Sequence, residues 1–239
     1  MLEVAAQCFD PSQVRAIRSR LGSNFTKCVQ GYHLVNDDPI KESPWEQINA
    51  TIFEASGCSV ISQSNGSHNS GKDLLCSLGG FSNKSTKYNK ECDSFTISSY
   101  RLTSVCSDKN IGNIEDIITE INNRKNFAYY SIIVRDESET QILYDWYIIP
   151  SDFPELNPSS YKWNYKLGKK GKNTGAKTGW ETETLNGSSM SITFSMSSQL
   201  WIDLHITEEM KQFIVGSCSV KIGRKYNYIQ LYENNISAT

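Results

Sequence analysis

Ser67-His68-Asn69-Ser70-Gly71-Lys72-Asp73-Leu74-Leu75, then Cys76-Ser77-Leu78-Gly79-Gly80, then Phe81-Ser82-Asn83-Lys84-Ser85 is the stretch whose reading decides the fold. Asp73 opens a short apolar strand, Gly79-Gly80 supplies the turn, and Lys84 sits in the middle of the returning strand. Two glycines allow a tight reversal and a close backbone approach that other residues resist. Such a hairpin sets an Asp and a Lys side by side at one edge of a sheet.

Upstream, Ser43-Pro44-Trp45-Glu46 has the pattern of a capping box, with Trp45, Ile48, Ile52 and Ala55 at helical spacing and Gly57 as the stop. Before it, Asp10-Pro11 opens a helix over Val14, Ile17 and Leu21 that Gly22 ends, and 24–42 reads as irregular. Cys58 to Gln63 reads as a strand, followed by a turn at Asn65-Gly66. Downstream, 95–102 is extended. Ile111, Ile114, Ile117, Ile118 and Ile121 share one face of a helix. The segments 127–134 and 141–149 are strands joined at Asp136-Glu137. The order is helix, three strands, helix, strand.

A carboxylate beside an ammonium suits phosphodiester hydrolysis, in which a divalent cation is held and an attacking water positioned. Over roughly residues 43–149 the chain resembles the PD-(D/E)XK superfamily, which includes most type II restriction endonucleases. The resemblance implies an α/β (α+β) fold with a restriction-endonuclease-like mixed sheet flanked by helices, and hydrolysis of double-stranded DNA with Mg²⁺. It implies that Asp73 binds the metal, that Lys84 positions the water, and that Glu46 on the preceding helix completes the metal shell. Glu54, on the same helix, is the alternative to Glu46. The superfamily places Glu or Asp two residues before the Lys, and here that position is Ser82. A hydroxyl is a poor Mg²⁺ ligand, so Ser82 is expected to hold only a water of the metal shell. His68 could touch a phosphate, although a lone loop histidine is usually just solvated.

Beyond Pro150 the composition shifts. Lys162, Lys166, Lys169, Lys170, Lys172 and Lys177 fall between Tyr161 and Trp180 without an intervening acid, interleaved with Trp163 and Tyr165. A basic loop with aromatic anchors can follow a phosphate backbone. Arg101, Ser188 and Ser189 offer further contacts to phosphates or base edges. Strands over 200–206, 217–222 and 226–232 are expected, the last two as a hairpin, with a short helix starting at Thr207. Residues 1–42 thus read as an N-terminal helix and loop. Residues 43–150 form the core, and 151–239 form a β-rich DNA-binding region of the same domain. A second copy of the chain is an admissible partner alongside DNA.

Composition bounds these readings. At 239 residues with 38% apolar content the chain can bury a real core. A net charge of −2 means that any nucleic-acid surface must be local. No apolar run reaches the length of a membrane span, and Met1 to Asp10 lacks the pattern of a secretory leader, so a cytoplasmic location is expected. Seven cysteines without a Cys-x-x-Cys read as reduced thiols, and His33, His68 and His205 have no metal-ligand spacing. Two rival readings remain: a non-catalytic DNA-binding protein of the same fold, for which Ser82 speaks, and a β-rich extracellular binding domain suggested by Asn-x-Ser/Thr triplets.

Overall fold

Helix α1 (Pro11–Val35) runs straight through Gly22, where the sequence suggests a stop. The glycine serves a crossing instead. A Cβ on Gly22 would lie 2.7 Å from the Val215 carbonyl oxygen of strand β11 (Ile214–Lys221), and one on Gly216 would lie 3.2 Å from Gly22 Cα. Only two glycines let helix and strand approach so closely, and the packing gained outweighs the roughly 1 kcal/mol helix penalty of glycine. Residues 24–35 are therefore helical and not irregular.

The computed structural model describes residues 11–63, 71–169 and 171–236. The Asn65-Gly66 turn, His68 and Lys170 lie outside them, as does everything before Pro11. The remaining elements are α2 (Glu42–Ala55), β1 (Val60–Gln63), β2 (Leu74–Cys76), β3 (Gly79–Asn89), β4 (Ser94–Arg101), α3 (Ile114–Arg124), β5 (Tyr129–Glu137) and β6 (Gln141–Pro150). After them come β7 (Trp163–Leu167), β8 (Lys177–Thr182), β9 (Ser189–Thr193), β10 (Gln199–His205), α4 (Glu208–Lys211) and α5 (Tyr228–Ile236). Among the described residues these make a mixed α+β fold of five helices on one large, mostly antiparallel open sheet.

The sheet runs β11-β6-β5-β3-β4-β10-β9-β8-β7, so it crosses the boundary at residue 150, and β11 returns to pair with β6. Among the described strands, β3 and β5 alone pair in parallel, through the crossover that contains α3. Strand β3 is a fork. On one edge its first residues, Gly79 to Phe81, hold β2, and its last two, Tyr88 and Asn89, hold β4. Between these attachments no strand pairs with that edge among the described residues.

Period-two alternation assigns the faces. Phe81 packs on Phe53 of α2 at 4.7 Å between ring centroids, and the buried Asn83 and Asn49 side chains join across the same interface. Ser82, Lys84 and Thr86 therefore belong to the opposite face. One core lies between the sheet and α1 and α2, centred on Trp45, Phe53 and Trp146. The other lies beyond the opposite face, where Ile117 and Ile121 of α3 pack with Tyr130 and Ile132.

Several boundaries depart from the sequence reading. Helix α2 starts at Glu42 with Lys41 as an N-cap that offers no side-chain bond, so Ser43 is not a cap and Glu46 is not its reciprocal partner. Phe53, not the exposed Ala55, completes its buried stripe. Asp136 and Glu137 continue β5, and the turn follows them, with the Ser138 amide donating to the Gln141 carbonyl at 2.9 Å. Ile111 precedes α3, whose N-cap is Asn113. The expected last strand is helix α5. The Gln230 amide donates to Asn227 Oδ1 and the Asn227 amide to Gln230 Oε1, both at 2.9 Å, which is a reciprocal capping box. Cys58, Cys76, Cys106 and Cys218 are buried free thiols. No described helix is long and apolar enough to cross a membrane.

Candidate active site

Asp73 and Lys84 meet at the fork of β3. The Asp73 amide donates to the Phe81 carbonyl at 2.8 Å, which fixes the residue at the mouth of the hairpin. Its Oδ2 accepts from the Asn83 amide at 2.7 Å and from Ser82 Oγ at 3.2 Å. The carboxylate thus caps an amide on the edge that β2 and β4 leave open. Ser82, at the position where the superfamily carries an acid, acts as a donor holding the acid of the neighbouring strand. Its side chain is buried, which excludes bulk water from that oxygen.

Lys84 extends toward the first turn of α2. Its Nζ lies 3.0 Å from Glu42 Oε1, with the lysine side chain 15% exposed and that of Glu42 52% exposed. Glu46, one turn further along α2, is half-buried. The charges of these groups act on one another. Burial holds the Asp73 carboxyl above the usual aspartate range, Lys84, the Asn83 amide and the Ser82 hydroxyl pull it down, and Glu42 pushes it up again. Burial also raises Glu46, as do the charges of Asp73 and Glu42, while Lys84 lowers it. Asp73, Glu46 and Glu42 thus lie within reach of one another's charge and of the Lys84 ammonium in a partly desolvated cluster.

The sequence reading brought Asp73, Lys84, Ser82 and Glu46 together; the structure joins Ser82 to Asp73 by a hydrogen bond and leaves Lys84 and Glu46 within reach of the Asp73 charge. It missed Glu42. The misplaced helix start hid it, because a residue counted as preceding the cap was not expected to point into a site. Glu54 is exposed and lies away from the cluster. Asp73 and Glu46 are the residues that could hold a metal ion. Among the described residues no group of three or more His, Cys, Asp or Glu side chains is arranged to do so.

Strand β4 closes the other side. Between the pairs Gln199–Arg101 and Trp201–Ser98, one residue on β10, Leu200, stands opposite two on β4, so β4 bulges at Ser99-Tyr100. The bulge turns Tyr100 inward, where burial, Tyr130 and the Asp73 charge all push its hydroxyl upward in pKa. Arg101 follows it, exposed, with its carbonyl held by Arg124 Nη1 at 2.8 Å.

The lysine-rich segment is a hairpin of β7 and β8, not an open loop. Its aromatics anchor it. Tyr165 stacks on Trp180 at 4.0 Å, Trp180 Nε1 donates to the Ile111 carbonyl at 3.2 Å, and Trp163 Nε1 donates to the Pro158 carbonyl at 2.9 Å. Lys177 lies 3.6 Å over the Tyr165 ring. Lys162 pairs with Glu183 at 2.7 Å, and Lys169 is exposed. Lys172 falls in a 3-10 turn at Gly171–Asn173, and its side chain lies outside the described set. Ser188 corrects the expectation placed on it. Its side chain is fully buried and its hydroxyl accepts from the His205 amide at 3.0 Å, so it presents nothing to a ligand. Ser189, half-buried on β9, remains on an accessible face.

No protein-family model, curated protein or solved structure matches the chain.

Proposed function

We propose that the chain is a Mg²⁺-dependent, sequence-specific endonuclease of the restriction type that acts on double-stranded DNA, built on a PD-(D/E)XK-like core. One observation carries this reading: Asp73 and Lys84, on the two arms of one hairpin, lie within reach of the charges of Glu46 and Glu42 at a strand edge that no described strand pairs. The strand bearing Lys84 also lies parallel to the strand that follows α3, as a mixed nuclease sheet requires. A fourth strand, β4, intervenes before α3 and pairs with the far end of β3, at Tyr88 and Asn89, with the Thr86 hydroxyl donating to the Thr96 carbonyl at 2.6 Å.

The donor set suits Mg²⁺. It is all oxygen, and Mg²⁺ is commonly held by one or two carboxylates while it keeps several waters. Asp73 and Glu46 would hold it, each already raised in pKa by burial and neighbouring charge. Bound there, the ion supplies the charge that polarises a phosphate and eases deprotonation of a water. The chain's own groups do the rest. Ser82 and the Asn83 amide lock the Asp73 rotamer, Lys84 orients the attacking water and offsets its charge, and Glu42 fixes the Lys84 ammonium. Cleavage leaves a 5′-phosphate.

The two glutamates separate experimentally. Glu46→Gln is expected to lower the cleavage rate by orders of magnitude and to weaken Mg²⁺ binding in a calorimetric titration. Glu42→Gln keeps a hydrogen-bond acceptor for Lys84 and should lower the rate about tenfold or less, with Mg²⁺ affinity nearly unchanged. Near-normal turnover in Glu46→Gln removes that residue from the site.

A non-catalytic DNA-binding protein of the same fold is the second reading. Ser82 favours it, because the acid normally found there is missing. Both readings place DNA along the β7–β8 hairpin. If Lys169, Lys170 and Lys172 contact phosphates, replacing all three with Ala should flatten the dependence of log affinity on log salt by roughly two to three units, since each contact contributes about 0.9. Affinity should fall equally for all sequences. An unchanged slope, measured in Ca²⁺ to prevent cutting, would show that the hairpin is merely solvated.

A further inference from the structure

A cavity of about 390 Å³ opens at one end of the core that holds α3. Leu143, Ile206 and Ile214 give it an apolar wall, and three aspartates, Asp93, Asp136 and Asp145, face into it. The aspartates are not equivalent. Asp136 is paired with Lys90 at 2.9 Å. The carboxylates of Asp93 and Asp145 have no ion pair among the described residues. Asp93 accepts from the Tyr88 hydroxyl at 2.7 Å, and Asp145 accepts from Ser217 Oγ, so each keeps its full charge. Lys211, at the rim, is engaged by Glu208 at 2.6 Å.

Tyr147 also lines this cavity. Its side chain is 2% exposed and its ring packs on Phe95 at 5.6 Å, but its hydroxyl makes no hydrogen bond among the described residues. A buried hydroxyl is costly to leave without a partner. Asp145 and Tyr147 are two residues apart on β6 and so share a face. Asp93 is brought to that face by Tyr88, whose cross-strand partner is the same Phe95. Two carboxylates without cations and one unpartnered phenol oxygen offer three acceptors, and a primary ammonium carries three N–H donors. The apolar wall suits the alkyl stem behind such a head. A metal ion fits less well, because among the described residues no acidic group is arranged to hold one. We propose that this cavity binds a primary ammonium on an alkyl stem, the head held by Asp93, Asp145 and the Tyr147 hydroxyl and the stem lying against Leu143, Ile206 and Ile214. The site is independent of the nuclease reading: Tyr88 lies six residues beyond Ser82 on β3, roughly 20 Å along the strand.

The experiment is a calorimetric titration of the full chain with hexylamine at neutral pH and low salt, without DNA. Hexylamine should bind one to one, 1-hexanol at least about tenfold more weakly for want of the charge, and hexanoate not at all. Asp145→Asn and Asp93→Asn keep acceptors for Ser217 and Tyr88, and asparagine tolerates the left-handed backbone of residue 93 (φ 46°). Each should weaken hexylamine by roughly ten- to a hundredfold, the range for one charge-assisted hydrogen bond. Tyr147→Phe keeps the ring on Phe95 and should weaken it by roughly two- to tenfold. Melting temperatures near wild type confirm that the variants fold. Nα-acetyl-lysine N-methylamide carries the same head and stem, so tighter binding of hexylamine assigns a free amine, and tighter binding of the lysine derivative assigns the side chain of a peptide. Equal binding of hexylamine and hexanol overturns the proposal, as does unchanged affinity in the three variants, which would leave adventitious surface binding only. Displacement of hexylamine by Mg²⁺ at matched ionic strength would make the cavity a metal site and overturns it too. A wild-type chain that takes neither amine overturns it and leaves the nuclease reading standing.

Discussion

Lys84→Ala is expected to lower DNA cleavage by at least roughly 10²- to 10³-fold, the loss that follows removal of one preorganised charge-stabilising group. The variant should stay folded, because Lys84 pairs with a half-exposed Glu42 at the periphery of the core. It should also shift the pH profile. Lys84 lowers the pKa of both Asp73 and Glu46, so its removal raises both, and the acidic limb of the rate profile should move to higher pH. Asp73→Ala should abolish activity equally. Asp73→Asn adds a test of sign. A carboxyl whose folded pKa is raised stabilises the fold below its unfolded value, and that contribution is lost as pH rises through the folded value. Charging Asp73 therefore costs stability as pH rises, and the inactive Asn variant, which cannot ionise, should melt higher than the wild type as pH is raised, by ~2–4 °C for each kcal/mol relieved. A melting point that falls instead would show that the carboxylate is a structural cap and not a poised ligand.

The second large effect is on stability. Trp146 is fully buried where α1, α2 and β6 meet. Phe25 stacks on it at 5.6 Å, Trp45 and Phe53 pack edge-on at 5.7 and 6.0 Å, and its Nε1 donates to Ser131 Oγ at 2.9 Å. Trp146→Ala should destabilise the chain by ~3–5 kcal/mol, or about 6–20 °C in melting temperature for a chain of this size. Chemical denaturation would show a lower midpoint with a similar slope. A loss below about 1 kcal/mol would contradict the packing of α1 and α2 on this face.

The elements around the hairpin were legible because their signals are local. The hairpin between two apolar runs, and the isoleucine stripe of α3, announce themselves within a dozen residues, although the turn itself falls at Ser77-Leu78 and Gly79-Gly80, expected as the turn, are the first residues of β3. Gly22 was not legible, since the reason for a mid-helix glycine is Gly216, nearly two hundred residues away. Helix α5 was a different failure. Tyr226, Tyr228 and Tyr232 suggested a strand by propensity, although Asn227 and Gln230 carried a capping signal that outweighs it. In the site, Asp73 and Lys84 were visible from the two short apolar runs that pair as β2 and β3, not from the Gly79-Gly80 turn expected between them. Glu42 was not, because one wrong helix start displaced the face of α2 that meets Lys84. The cavity lined by Asp93, Asp145 and Tyr147 has no local signature at all, because it depends on the β3–β4 turn, β6 and the segment after β10 coming together.

The most direct test of the central claim is incubation of supercoiled plasmid with the purified chain, with and without Mg²⁺, beside Lys84→Ala. The account predicts discrete linear fragments with 5′-phosphate ends, formed only with Mg²⁺ and only by the wild-type chain. Intact plasmid in every lane, with the wild-type chain shown to bind the same DNA, would contradict it and leave a DNA-binding protein without the chemistry.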